Sequence, residues 1–378
     1  MNKHAIGLLI PALVMSGCSM KSGNNEKVSV TEKSDSVTMV LGSYCSTAEE
    51  GLKVYTFNEE DAGFTYKSGV KGISNPSFIS EIFNDSLIYS VAEDEGGTSS
   101  ACALNYDAEG SKLSILNLQP TNGGAPCNIA VCGDRNKVFT ANYMGGNLSV
   151  FNIDNTGRLL FDKVFGFTGS GPDRERQDKP HIHSVNFTPD GTQLWANDLG
   201  SDKIRVIDLD SVSYDEKNDI QLPIGSGPRH TCFHYNGKYA YIITELSGEV
   251  LVLKLNDGNK VDLIQTVKAD TVDARGSADI HLSPDGKFLY ASCRLKSDGI
   301  AIFSVDSGSG MLKRVGYCLT GRHPRNFAIT PNGKYVLVAC RDENSVEIYS
   351  RNPETGMLSD TGKRIQMKAP VCVRWVIR

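Results

Sequence analysis

The sequence predicts an all-β protein, a seven-bladed β-propeller with four short antiparallel strands per blade, and three observations carry that prediction. A turn-and-strand phrase recurs along the chain. Its copies are spaced at a nearly constant interval, the mark of a repeat architecture. The composition suits many short strands joined by turns: 37 of 378 residues are glycine, 14 are proline, and no long segment after residue 45 holds a 3.6-residue apolar period. A chain of this length is too long for one small core and must form several domains or one modular ring.

Taken in order, the first element stands outside the ring. Lys3 and His4 precede an apolar run from Ala5 to Met15, which ends in Met15-Ser16-Gly17-Cys18. A basic start, a hydrophobic stretch too short to span a bilayer comfortably and small residues before a cysteine make residues 1–18 a signal peptide. The small-small-Cys ending resembles the bacterial lipobox, whose cysteine is lipidated and becomes the new amino terminus. Two or three acyl chains on Cys18 would give lasting attachment. Residues 19–36, rich in Ser, Lys, Asn and Glu, read as a flexible tether. The expected location is exported and lipid-anchored to a bacterial membrane.

The ring is expected over residues 37–378. Four segments share one phrase: Thr188-Pro-Asp-Gly-Thr-Gln-Leu-Trp-Ala-Asn-Asp198, His234-Tyr-Asn-Gly-Lys-Tyr-Ala-Tyr-Ile-Ile-Thr-Glu245, Ser283-Pro-Asp-Gly-Lys-Phe-Leu-Tyr-Ala-Ser-Cys293 and Thr330-Pro-Asn-Gly-Lys-Tyr-Val-Leu-Val-Ala-Cys340. Asp-Gly or Asn-Gly supplies a tight turn, and the apolar run after it reads as an inner strand. Weaker copies lie at residues 84–92 and 135–142, and residues 39–44 read as an inner strand without its turn. Between equivalent positions 44, 93, 143, 198, 245, 293 and 340 the intervals are 49, 50, 55, 47, 48 and 47 residues, room for one four-stranded blade each. Residues 369–377 are expected to pair with the first blade and close the ring.

Charge and cysteine usage narrow the function classes. A formal net charge of −5, mixed in sign, gives no basic footprint for nucleic acid. Nine cysteines remain beyond Cys18, most inside strand-like runs and none in a Cys-x-x-Cys pair, so they read as buried free thiols rather than a disulfide framework or zinc site. No metal and no cofactor are expected, and a single chain is expected to act as a monomer.

Polar residues interrupt the repeats at equivalent loop positions, which in a ring face one central depression. His183 precedes the fourth-blade phrase, Arg229 and His230 the fifth, and Arg325 the seventh; Glu245 ends the fifth-blade phrase and Arg294 follows the sixth. Each also has a structural reading, an Arg stapling neighbouring blades or Glu245 in an inter-blade ion pair. His181, His230 and His323 read first as satisfied structural histidines.

With these residues in view, the chain resembles the lactonase family of seven-bladed propellers that includes bacterial 6-phosphogluconolactonase and, more distantly, the carboxymuconate lactonizing enzyme. The phrases carrying the resemblance include Gly-Ser-Tyr44, Pro126-Cys-Asn128, the run from Ala141 to Asn147, His183-Ser-Val, Gly227-Pro-Arg-His230, Thr244-Glu-Leu246 and Pro324-Arg-Asn-Phe327. The resemblance implies His183, Arg229, Glu245 and Arg294 as catalytic residues; Arg325, Asn142 and His230 are expected to contact substrate. The chain departs from the family pattern at Cys293, where Asn is usual, and in an extra residue beyond Arg294. The implied chemistry is hydrolysis of a sugar lactone or related carboxylate: Glu245 orients or deprotonates water, Arg229 and Arg294 neutralise the oxyanion, and His183 protonates the leaving ring oxygen. Two alternatives stay open: a non-catalytic propeller that binds an anionic sugar or a protein, and a cyclase of the carboxymuconate type.

Overall fold

The computed structural model describes residues 36–377. The signal peptide, Cys18 and the tether up to residue 35 lie outside the described residues, and Ser36, expected to end the tether, instead opens the first strand. Seven separate antiparallel sheets follow one another along the chain. Blade 1 holds strands Ser36–Ser43, Leu52–Asn58 and Phe64–Val70, and blade 2 holds Leu87–Ala92, Ser100–Asp107 and Lys112–Pro120. Blade 3 runs from Pro126 to Gly166, blade 4 from Ile182 to Gln221, blade 5 from Pro228 to Lys268, blade 6 from Ile280 to Leu319 and blade 7 from Pro324 to Gln366.

The last strand, Pro370–Val376, pairs antiparallel with Ser36–Ser43, with Leu41 opposite Val373. The expected closure is therefore present, and it removes the edge that blade 1 would otherwise expose. The Trp375 ring lies edge-on to Phe57 at 5.6 Å, and its indole N–H donates to the Ile329 carbonyl at 2.7 Å, pinning the closing strand to blade 7.

The structure corrects one expectation about the blades. The recurrent apolar phrase forms the second strand of each blade, and the innermost strand is the one before its turn: Ile182–Phe187, Pro228–Phe233, Ile280–Leu282 and Pro324–Ile329. Packing explains the difference. Along Tyr239–Thr244, Tyr239, Tyr241 and Ile243 pack towards blade 6, whereas Ala240 and Ile242 pack towards blade 4. A strand sandwiched between two blades must be apolar on both faces, and it therefore gives the loudest sequence signal. The innermost strand lines the axis and reads as mixed. The turns behave as expected, with Gly191, Gly237, Gly286 and Gly333 all at φ between 69° and 74°.

Two blades depart from four strands. In blade 2 the inner strand is reduced to a bridge between Ile79 and Ser90, and in blade 4 the outer strand is split into Ser213–Tyr214 and Ile220–Gln221. Seven buried apolar clusters, one between each pair of adjacent blades, hold the ring together. Nine cysteines, Cys45 to Cys372, carry free thiols, six of them buried.

Candidate active site

The loops entering the inner strands and leaving the second strands meet at one end of the axis. Glu245 follows the second strand of blade 5; its backbone N–H donates to the Gly227 carbonyl at 2.7 Å, which holds the buried carboxylate over the channel. Three guanidinium groups surround it. Arg229 Nε donates to Oε2 at 2.9 Å, Arg294 Nη2 lies 3.2 Å from the same oxygen, and Arg176 Nη2 donates to Oε1 at 2.7 Å. Burial alone would raise this carboxyl, but Arg294, Arg229 and Arg176 together hold it down at about 2. Glu245 is thus a fixed anion with little proton affinity.

Arg229 and Arg294 are each held from behind by the same device. Arg229 Nη1 meets His230 Nε2 at 3.2 Å, and His230 Nδ1 lies 2.7 Å from the Asp279 carboxylate. Arg294 Nη1 meets His323 Nε2 at 3.1 Å, and His323 Nδ1 lies 3.3 Å from Asp342. Since guanidinium can only donate, Nε2 of each imidazole accepts and Nδ1 carries the proton toward its aspartate. Burial first, and then the neighbouring arginine, push His230 down to about 4 and His323 to about 3, so both are neutral near pH 7. Backbone carbonyls complete the grip: Ala278 accepts from Arg229 at 2.6 Å and Gly276 from Arg294 at 2.7 Å. Two Asp-His-Arg relays therefore converge on one carboxylate.

His183 sits beside this cluster. Its Nε2 is 3.9 Å from Glu245 Oε2, beyond direct hydrogen bonding, and its Nδ1 is 3.7 Å from the thiol of Cys127. The Tyr143 ring meets it edge-on at 5.4 Å. Burial, then the charges of Arg229, His230 and Arg325, drive its pKa well below 6.5, so the imidazole is neutral.

Of the sequence-predicted residues, His183, Arg229, Glu245 and Arg294 come together, and Arg325 reaches the same mouth. The Arg325 guanidinium stacks over Tyr44 at 5.4 Å and lies 3.6 Å from Glu93, whose Oε1 accepts from the Tyr44 hydroxyl at 2.9 Å. Two residues expected to contact substrate are placed differently. Asn142 is 0% exposed, its amide nitrogen bonded to Asn147 Oδ1 and Ser149 Oγ, each at 2.7 Å, so it ties the blade 3 hairpin and cannot touch a ligand. Asn142→Ala is accordingly expected to cost about 1–3 kcal/mol of stability, because it strands those partners; an unchanged urea midpoint would refute this role. His230 stands behind Arg229 rather than facing the mouth, which agrees with its structural reading.

Sequence reasoning missed Arg176, Tyr143, Glu93 and the two aspartates. Arg176 had a visible signal, because it belongs to the segment that stretches one interval to 55 residues. Asp279 and Asp342 had none, since Asp279 supports a histidine of another blade and Asp342 lies in a hairpin turn beyond the repeated phrase.

A family model described as "Lactonase, 7-bladed beta-propeller" matches residues 38–375. The chain belongs to this lactonase family. It is 40% identical over 331 residues to the 6-phosphogluconolactonase of Formosa agariphila, which covers 85% of this chain and 94% of that relative. It is 31% identical to the 6-phosphogluconolactonase of Bacillus subtilis, covering 89% and 97%. Among solved structures, the periplasmic gluconolactonase of Pseudomonas aeruginosa superposes with a TM-score of 0.85 at 28% identity, covering 90% of this chain and 99% of that one.

Proposed function

We propose that the protein hydrolyses the ester bond of a sugar lactone at the mouth of its channel. The observation that carries this reading is the pairing of a neutral, buried His183 with two immobilised guanidinium groups on Glu245. The 6-phosphogluconolactonases and the gluconolactonase among the relatives support the same class of reaction.

Hydrolysis adds water to the lactone carbonyl and expels the ring oxygen, which must leave with a proton. Glu245 is too weak a base to take a proton from water, so its role shifts from base to anchor, fixing Arg229 and Arg294 where they stabilise the oxyanion. His183 is the proton carrier. Its free imidazole accepts a proton as water attacks, and the imidazolium so formed returns it to the departing ring oxygen. Negative charge on the tetrahedral intermediate offsets the arginine field that, added to burial, keeps His183 unprotonated. Residues from blades 4, 5 and 6 of one chain supply these groups.

A panel of sugar lactones and muconates, assayed with purified protein, tests the reading. Ring opening of at least one aldonolactone above its spontaneous rate is expected. Cyclisation of a muconate would favour the carboxymuconate chemistry, and binding without turnover would leave only a binding propeller.

The lipobox-like ending supports export and anchorage through Cys18, and the periplasmic location of the Pseudomonas relative supports export alone. Labelled palmitate should enter the wild-type chain and not Cys18→Ala; equal labelling of both would remove the anchor. An exported enzyme would seldom meet the phosphorylated lactones of cytosolic metabolism, so an unphosphorylated lactone is the substrate we favour in that compartment, a uronic-acid-derived one being the kind that still carries a negative charge.

A further inference from the structure

Three guanidinium groups contact Glu245, but only two of them are built in. Arg229 and Arg294 are nearly inaccessible and bonded to backbone carbonyls and histidines. Arg176 differs in every respect. Its side chain is 38% exposed, and its guanidinium donates to the Tyr143 hydroxyl at 3.2 Å and to Glu245 Oε1 at 2.7 Å. It comes from the longer connection between blades 3 and 4, beyond the regular repeat.

The backbone under Arg176 is firmly held. The buried Gln177 amide donates to the Leu199 carbonyl and to Asp202, each at 2.8 Å, and Lys179 Nζ donates to the Met144 carbonyl at 2.8 Å. Across the mouth, Arg275 from the connection before blade 6 pairs with Asp173. A Cβ on Gly171 would come within 2.4 Å of Gln177, so the segment is packed as a strap. The strap is thus tied down through Gln177 and Lys179, while the half-buried Arg176 guanidinium is tied only through Tyr143 and Glu245.

The charge count gives that difference a consequence. Four guanidinium groups, on Arg176, Arg229, Arg294 and Arg325, face two carboxylates, Glu93 and Glu245. Asp279 and Asp342 stand behind Arg229 and Arg294, each across a neutral histidine, so those two cations have carboxylates of their own and Arg176 is the accessible cation the mouth can lend. A neutral lactone offers Arg176 only uncharged acceptors in exchange for the Glu245 carboxylate. A lactone with a phosphate or carboxylate remote from the ester offers an equivalent charge-assisted partner, and a guanidinium bonds either oxyanion in the same forked geometry.

We propose that Arg176 is a displaceable cap on Glu245, drawn off by a second negative charge on the substrate, and that it makes the site selective for anionic over neutral lactones. The proposal rests on the lactonase reading for its substrate class but not for the movement of the cap. Arg176 is a specificity residue here, and the proton transfer remains with His183.

The test compares wild type with Arg176→Ala and Arg176→Gln on three lactones: neutral glucono-1,5-lactone, its 6-phosphate, and glucaro-1,4-lactone with its free carboxylate. The ratio of kcat/KM for each charged lactone to that for the neutral one should fall about tenfold or more in both variants, mainly through KM. Equal losses on all three lactones would overturn the cap and leave Arg176 a structural partner of Glu245. Loss on the phosphate alone, or on the carboxylate alone, would confirm the cap and identify which anion it serves. A second measurement is independent of turnover: calorimetric binding of 6-phosphogluconate against gluconate. Wild type should prefer the phosphorylated acid and the variants should lose that preference; an unchanged preference overturns the proposal. If the wild type binds with this Arg176-dependent preference but opens no lactone, the lactonase reading falls and the cap stands.

Discussion

Replacing His183 by alanine should lower kcat on the best lactone by about 10²- to 10⁴-fold, the usual worth of a positioned acid-base group. The loss should fall on kcat rather than KM, because His183 moves a proton at the reacting centre while the arginines hold the anion. The same assignment fixes the shape of the pH profile. Burial and the charges of Arg229, His230 and Arg325 depress the pKa of His183 well below 6.5, and the working form is the neutral imidazole. Activity should therefore continue undiminished as pH falls through 6.5, where an ordinary histidine base would be protonated and half lost. It should decline only at more acidic pH. An acid limb centred on 6.5, or a His183→Ala variant with wild-type kcat, would remove His183 as the proton carrier.

How much of this was legible in the sequence depended on whether a residue lay in or beside the repeated phrase or was defined only by its partner in space. Asp-Gly and Asn-Gly turns followed by apolar strands are local, so the blades were readable from the four phrases in residues 188–340 and their number from the weaker copies at 39–44, 84–92 and 135–142. The same locality misled on strand order, since the strand buried on both faces was taken for the one at the axis. His183, Arg229, Glu245, Arg294 and Arg325 were readable because they break the pattern at equivalent loop positions. What lay hidden is the support behind the arginines, which comes from another blade or from a turn outside the repeated phrase. Asp279 of the blade 6 entrance supports His230 of blade 5, and Asp342 of the blade 7 hairpin supports His323 at that blade's entrance, but neither spacing follows a repeat rule. Asn142 failed for the converse reason: it lies in a phrase shared with the family, yet its side chain is spent inside the hairpin. A motif identifies a residue's neighbourhood, and only its hydrogen bonds show whether any donor remains for a ligand.

Glu245→Gln is the second large effect, and it separates anchoring from general base catalysis. Glutamine keeps the shape but removes the charge that three guanidinium groups share, leaving Arg229 and Arg294 buried without a counter-ion. Breaking a buried ion pair by removing one partner costs about 3–5 kcal/mol, so the variant should unfold at a clearly lower urea concentration. Activity should fall as well, by about 10²-fold or more in kcat, because freed arginines no longer present a preorganised oxyanion site. The pH dependence of stability gives an independent check. Glu245 has a folded pKa of about 2 against an ordinary 4.5, so its contribution is present above 4.5 and is lost as pH falls from there towards 2. Wild type should therefore lose stability relative to Glu245→Gln across that acid range, and the two should converge near its lower end. A difference between them that is independent of pH would mean that the carboxylate charge does not hold the arginines. If instead stability is unchanged and kcat alone collapses, Glu245 acts directly on water, and the anchoring role assigned from its low proton affinity is wrong.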